Sequence, residues 1–141
     1  MKRSYPLWFI VLVLLMSCSG AKQSKSDPLY GHAWQLEYID VANSSMDLLF
    51  PDKKPEITFE KESGNVTGNS GCNGYSAPYS LNEKGIQFGE PGPSTLMYCG
   101  EGENHFRNFM RAAEQWKLTA DGKLELIASG AVVLRFKKTT S

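Results

Sequence analysis

The chain has 141 residues, with 15 basic and 15 acidic side chains and no formal net charge. That length suits one domain behind an N-terminal processing segment. The balanced charge, with no basic run, argues against nucleic acid as a partner and against a headgroup- or heparin-binding patch. Three cysteines and two histidines leave little for a metal centre, since neither His32 nor His105 stands at ligand spacing to a cysteine.

Lys2 and Arg3 form a short basic start, and Leu7 to Met16 is an unbroken apolar run. A bilayer span needs about 20 apolar residues, so this run is too short to cross one and has the length of a signal-peptide core. It ends in Leu15-Met16-Ser17-Cys18, which has the form of a lipobox. A small residue stands beside the scissile bond, and the thiol that follows can form a thioether to diacylglycerol. The expectation is a lipoprotein signal peptide over 1–17, with Cys18 as the lipidated N-terminus and palmitate among its acyl chains. Each buried methylene adds about 0.8 kcal/mol to membrane binding, so two or three chains anchor durably. The mature chain then carries 13 basic and 15 acidic residues. Residues 19–27 contain no large apolar side chain and read as a flexible tether, so 18–28 forms the lipidated linker and 29–138 the folded domain. Ser19 follows Cys18, where some bacteria place Asp to retain lipoproteins in the inner membrane. This leans towards the outer membrane of a bacterial envelope.

Ala33 to Asp40 alternates, with Trp34, Leu36 and Tyr38 on one face and Gln35, Glu37 and Ile39 on the other, as a strand with one covered face does. Residues 41–54 have no clear period and read as a loop. Glu56 to Glu60 is a strand, Lys61 to Asn65 a turn with Gly64 free to take positive φ, and Val66 to Ser70 a second strand. Gly68 to Gly74 is dense in small residues. Tyr75 to Leu81 reads as extended and broken near Pro78, Lys84-Gly85 as a turn, and Ile86 to Phe88 as a short strand. Glu90 to Pro93 is a loop, and Ser94 to Cys99 reads as strand or extended chain.

Phe106, Phe109, Met110 and Ala113 recur at helical spacing and predict an amphipathic helix from about Glu103 to Gln115. Glu101 and Glu103 suit the positive end of its dipole. A meander follows: Trp116 to Ala120, a turn at Asp121-Gly122, Lys123 to Ala128, a turn at Ser129-Gly130, and Ala131 to Lys138. Many short antiparallel strands with one packed helix make an α+β domain.

Cys72 and Cys99 remain after Cys18 is lipidated, and they enclose 26 residues. In an oxidising compartment such thiols commonly pair, and closing this loop contributes roughly 3–4 kcal/mol. A pair of buried reduced thiols is the alternative.

Several ordered features resemble the META domain, or HslJ-like, family, and the resemblance spans roughly residues 30–138. Trp34-Gln35-Leu36 resembles its opening W-x-L strand, and Ile57-Thr58-Phe59 with Val66-Thr67-Gly68 its F…V-x-G pair. Gly71-Cys72-Asn73 resembles its G-C-N signature, with Tyr79 at an aromatic position, and Ser94-Thr95-Leu96-Met97-Tyr98-Cys99 resembles S-T-x-M-x-C. Glu103 lies three residues before Phe106, a departure from the family's helix start, and 41–54 is the least transferable stretch. The resemblance implies a strongly curved antiparallel sheet, a cracked-barrel-like meander, with a helix across it, like that of secretion-system pilotins, which are lipoproteins. It also supports pairing of Cys72 with Cys99. No enzymatic activity is established for the family in general, and some members are associated with heat shock, stress response and antibiotic tolerance.

No G-x-S-x-G, P-loop, H-E-x-x-H or EF-hand pattern is present. Cys72 with His105 or His32 imitates a nucleophile pair, but a cysteine in a disulfide has no thiolate. Glu60/Glu62 and Glu101/Glu103 read as solvated surface. Asn73 has two readings: a structural turn with left-handed φ at Asn73 or Gly74, or a polar group facing a ligand in a groove with Tyr75, Tyr79 and Tyr98. The sequence therefore predicts a non-catalytic, membrane-anchored module without cofactor or metal, whose partner is an envelope protein or lipid. An envelope hydrolase with an unrecognised site is the alternative.

Overall fold

A computed structural model describes residues 26–95 and 97–139. The expected signal peptide, Cys18 and most of the expected tether lie outside the described residues. Asp27–Leu29 forms a 3-10 turn. Eight strands follow: β1 (Ala33–Ile39), β2 (Glu56–Glu60), β3 (Asn65–Asn69), β4 (Gly74–Leu81), β5 (Ile86–Phe88), β6 (Gln115–Leu118), β7 (Leu124–Ala128) and β8 (Ala131–Thr139). Two helices interrupt them, α1 (Met46–Leu49) and α2 (Gly102–Ala112).

The strands form one antiparallel sheet in the order β5-β4-β3-β2-β1-β8-β7-β6. The sheet curls into a half-barrel whose outer strands meet. Gly85 bridges Gln115, and the Trp116 N–H donates to the Lys84 carbonyl at 3.0 Å. The predicted α+β class and curved meander are therefore what the chain forms. Trp34, Leu36, Ile57, Val66, Leu134 and Phe136 fill the concave side and are fully buried. Phe106 and Met110 of α2 are also fully buried, and the Phe106 ring stands edge-on to Tyr75 and Phe136. Among the described residues no helix is long and apolar enough to cross a membrane.

Local departures from the sequence reading have physical causes. A bulge between Leu36 and Tyr38 in the β1–β8 ladder reverses the alternation, so Ile39 is buried and Tyr38 is 38% exposed. The 41–54 stretch contains α1, capped by the Ser45 hydroxyl accepting from the Leu48 N–H at 3.2 Å. Pro78 does not break β4, because its carbonyl accepts from the Gly89 N–H at 2.8 Å just past β5, where no ladder donor is needed. Helix α2 stops at Ala112, since Ala113 turns extended to enter β6. Residues 94, 95 and 97–99 join no strand. Gly68 of V-x-G lies so close to β2 that an added Cβ would sit 1.9 Å from the Glu56 carbonyl oxygen, so only glycine fits there.

Glu125, which alternates along β7 with the buried Leu124 and Leu126, is itself 4% exposed. It lies in a cross-strand row between Lys117 of β6, at 2.9 Å, and Arg135 of β8, at 2.7 Å. Desolvation pushes its carboxyl up, but hydrogen bonds from Lys117 and Arg135 outweigh this and hold it below the usual carboxylate range. A depressed folded-state value means stabilisation that is complete above the unfolded-state pKa and lost as pH falls through the folded one. Both cations are partly exposed, so Glu125→Gln should cost only about 1 kcal/mol at neutral pH. Urea midpoints should show that deficit shrinking towards about pH 3. An equal deficit at both pH values would contradict the assignment.

Candidate functional site

The G-C-N residues form the turn between β3 and β4. Gly71 has φ +102, and a Cβ there would meet the Phe50 ring at 2.5 Å. Conformation and close approach both require glycine at this point. The positive φ expected at Asn73 or Gly74 is carried instead by Gly71. The Ser70 N–H donates to the Asn73 carbonyl at 2.9 Å and closes the turn, with the Ser70 hydroxyl oxygen 3.1 Å from the same carbonyl.

The Asn73 residue is 3% exposed, and its side-chain amide makes four hydrogen bonds. Its Nδ2 donates to the Met97 carbonyl and to Glu103 Oε2, each at 2.7 Å. Its Oδ1 accepts from the Thr95 hydroxyl at 2.9 Å and the Met97 N–H at 3.0 Å. An amide is the side chain that offers both donors and an acceptor from one planar group. Glu103 sits in the first turn of α2, where the helix dipole favours a carboxylate. Its other oxygen accepts from the Ser70 hydroxyl and lies 3.5 Å from Arg107 Nε. Arg107 in turn donates to the Ser94 hydroxyl at 3.0 Å and the Gly74 carbonyl at 3.3 Å. A disulfide joins Cys72 to Cys99, with their Cα atoms 6.0 Å apart. Two signature loops and the start of α2 are thereby clasped together.

The sequence-derived site residues separate into different roles. Thr95 works through its hydroxyl and Met97 through its main chain, leaving the Met97 residue 62% exposed. The three tyrosines do not share a groove. Tyr75 belongs to the core at 4% exposure, and burial pushes its hydroxyl pKa up to about 12. Tyr79 lies elsewhere on β4, its hydroxyl 3.3 Å from that of Tyr30 and its pKa raised first by desolvation and then by that contact. Tyr98 alone stands at the clasp, 75% exposed, donating to Glu101 at 2.9 Å. They separate because Tyr75 and Tyr79 stand on different parts of the curled sheet, whereas Tyr98 is on the loop above it. Glu103 was expected on the solvated surface but is held inside the clasp. Its place three residues before Phe106 was the one local sign of a special role.

Shallow hollows surround the clasp. One of about 290 Å³ lies between Phe50, the disulfide and Met97. Another of about 300 Å³ is lined by Asn73, Met97, Tyr98, Asn104 and Arg107. It shares Asn104 and Arg107 with a third, of about 320 Å³, bordered by Glu90, Asn108 and Arg111. Among the described residues no group of three or more His, Cys, Asp or Glu is placed to hold a metal ion.

The family model described as "META domain" matches residues 27–140. The chain belongs to the META domain family. Two solved structures resemble this META domain. A protein from Burkholderia xenovorans, determined by NMR, is 25% identical with a TM-score of 0.58, covering 80% of this chain and 85% of that one. A second NMR structure is 22% identical with a TM-score of 0.55, covering 75% and 87% of the two chains, and shows likeness of fold. No curated protein matches the chain. In this member Cys72, Asn73, Thr95, Met97 and Cys99, from the G-C-N and S-T-x-M-x-C stretches, tie loops to a helix.

Proposed function

We propose that this META domain is a non-catalytic binding module, held at a bacterial envelope membrane by lipid on Cys18 and serving envelope stress tolerance. The observation that carries the non-catalytic part is the use of the signature itself. The Asn73 amide, the Thr95 hydroxyl and the Ser70 hydroxyl are engaged inside the clasp, and both cysteines are joined in a disulfide. A hydrolase built on the signature would need one of these groups free as nucleophile or base, aimed at an open site.

The order of basic start, apolar run and lipobox supports the anchoring. The leaning towards the outer membrane rests on Ser19. Cys18→Ala should abolish labelling with radioactive palmitate and move the protein from the membrane to the soluble fraction. Retention in the membrane with continued labelling would contradict the lipid anchor. Substrate turnover that one side-chain change abolishes would contradict the non-catalytic reading.

A further inference from the structure

We propose that the hollow beside Tyr98, running along the outer side of α2, binds a neutral oligosaccharide, with Tyr98 as its stacking platform. This rests on the reading of the domain as an envelope-binding module and names the class of ligand.

Tyr98 is large, aromatic and 75% exposed, a position that core packing does not explain. It is nevertheless held from both sides. Met97 is fixed through its main-chain N–H and carbonyl to the Asn73 amide, and Cys99 is fixed by the disulfide to Cys72. The Tyr98 hydroxyl is oriented by Glu101, which also accepts from Asn104 Nδ2 at 3.3 Å. The clasp thus presents one rigid aromatic face to solvent. An exposed ring with few degrees of freedom to lose is a low-cost anchor for a ligand.

The ligand class follows from the rest of the lining. Asn104 and Arg107 join the hollow beneath Tyr98 to the one bordered by Asn108 and Arg111. Two carboxylates, Glu90 and Glu103, and two guanidinium groups, Arg107 and Arg111, line this trough, and they pair with each other at 3.4 and 3.5 Å. The charges cancel, so neither a polyanion nor a polycation is favoured. What remains is a run of planar amide and guanidinium groups, carrying donors and acceptors, next to an exposed ring. Vicinal hydroxyls and acetamido groups on a pyranose match such planar polar groups, while the C–H face of the sugar stacks on the tyrosine. The volumes of about 300 and 320 Å³ give room for more than one sugar ring in succession.

The trough lies away from the start of the domain. Asp27 pairs with Lys61 in the β2–β3 turn at 3.3 Å, whereas Asn73 lies in the β3–β4 turn at the other end of β3. Residues near the tether and the trough are therefore separated by the length of that strand, about 17 Å.

The test uses the full chain in a detergent without a sugar headgroup, titrated with chitotetraose, a neutral N-acetylglucosamine tetramer. Saturation-transfer NMR and calorimetry should show saturable binding in the millimolar range or tighter. Tyr98→Ala should weaken it about tenfold with an unchanged melting temperature, and Asn108→Ala should weaken it to a smaller extent. Cys18→Ala should bind as the parent does, so failure of anchoring and failure of sugar recognition are separable. No saturation transfer from the parent chain, or binding unchanged by Tyr98→Ala, would overturn the proposal.

Discussion

Asn73→Ala should lower unfolding stability by about 2–4 kcal/mol, because four hydrogen bonds each contribute roughly 0.5–1.5 kcal/mol and some of the freed groups regain water. The groups left without a partner are unequal. The Thr95 hydroxyl and the Met97 main chain are near the surface and can rehydrate. Glu103 Oε2 is worse placed, since its side chain is only 13% exposed and its neighbours do not replace the Nδ2 donor. Asn73→Asp is the sharper variant. It keeps the acceptor for Thr95 and Met97 but sets oxygen against the Glu103 carboxylate and the Met97 carbonyl, so repulsion replaces attraction. Urea unfolding with an unchanged slope and a lower midpoint would show a loss of stability and not of cooperativity. A midpoint shift equivalent to less than about 1 kcal/mol for Asn73→Ala would mean that the amide network is ornamental.

Reducing the Cys72–Cys99 disulfide should cost about 3–4 kcal/mol, from the chain entropy restored to an unfolded loop whose ends are 27 positions apart. The same urea experiment with and without a strong reductant reads it. The two losses should not add. The disulfide and the Asn73 amide both hold residues 97–99 to the β3–β4 turn, so each restricts motion that the other would otherwise restrict. Reduced Asn73→Ala protein should therefore differ from the sum of the separate losses by more than about 0.5 kcal/mol. Strict additivity would show that the two ties hold separate structures.

Most of the strands and α2 were legible because each buries one face and so writes its period into the sequence. Trp34 and Leu36, Ile57 and Phe59, Leu124 and Leu126, and the Phe106–Met110 stripe all fall where alternation or helical spacing puts them. What escaped was set by neighbours distant in the chain. The bulge that exposes Tyr38 and buries Ile39 is a mismatch between β1 and β8, and neither strand alone carries it. Glu125 looks like an ordinary outward residue until Lys117 and Arg135 close over it. Residues 94–99 looked extended, but 94, 95 and 97–99 are held by side chains and a disulfide instead of a ladder, which no local period reveals. The signature residues were visible as motifs. Their partner Glu103 was not, because its role depends on Ser70 and Asn73, 33 and 30 positions away.

In this chain the G-C-N and S-T-x-M-x-C stretches form a clasp built on the Asn73 side chain. Its two Nδ2 protons are each committed, one to the Met97 carbonyl and one to Glu103. Hydrogen exchange of the asparagine side-chain amides, followed by ¹⁵N NMR, tests this most directly. The Asn73 NH₂ pair should exchange far more slowly than that of the exposed Asn108, and the Met97 backbone amide should be protected with it. Exchange of Asn73 at the rate of a solvent-exposed asparagine would show that the clasp is not formed in solution.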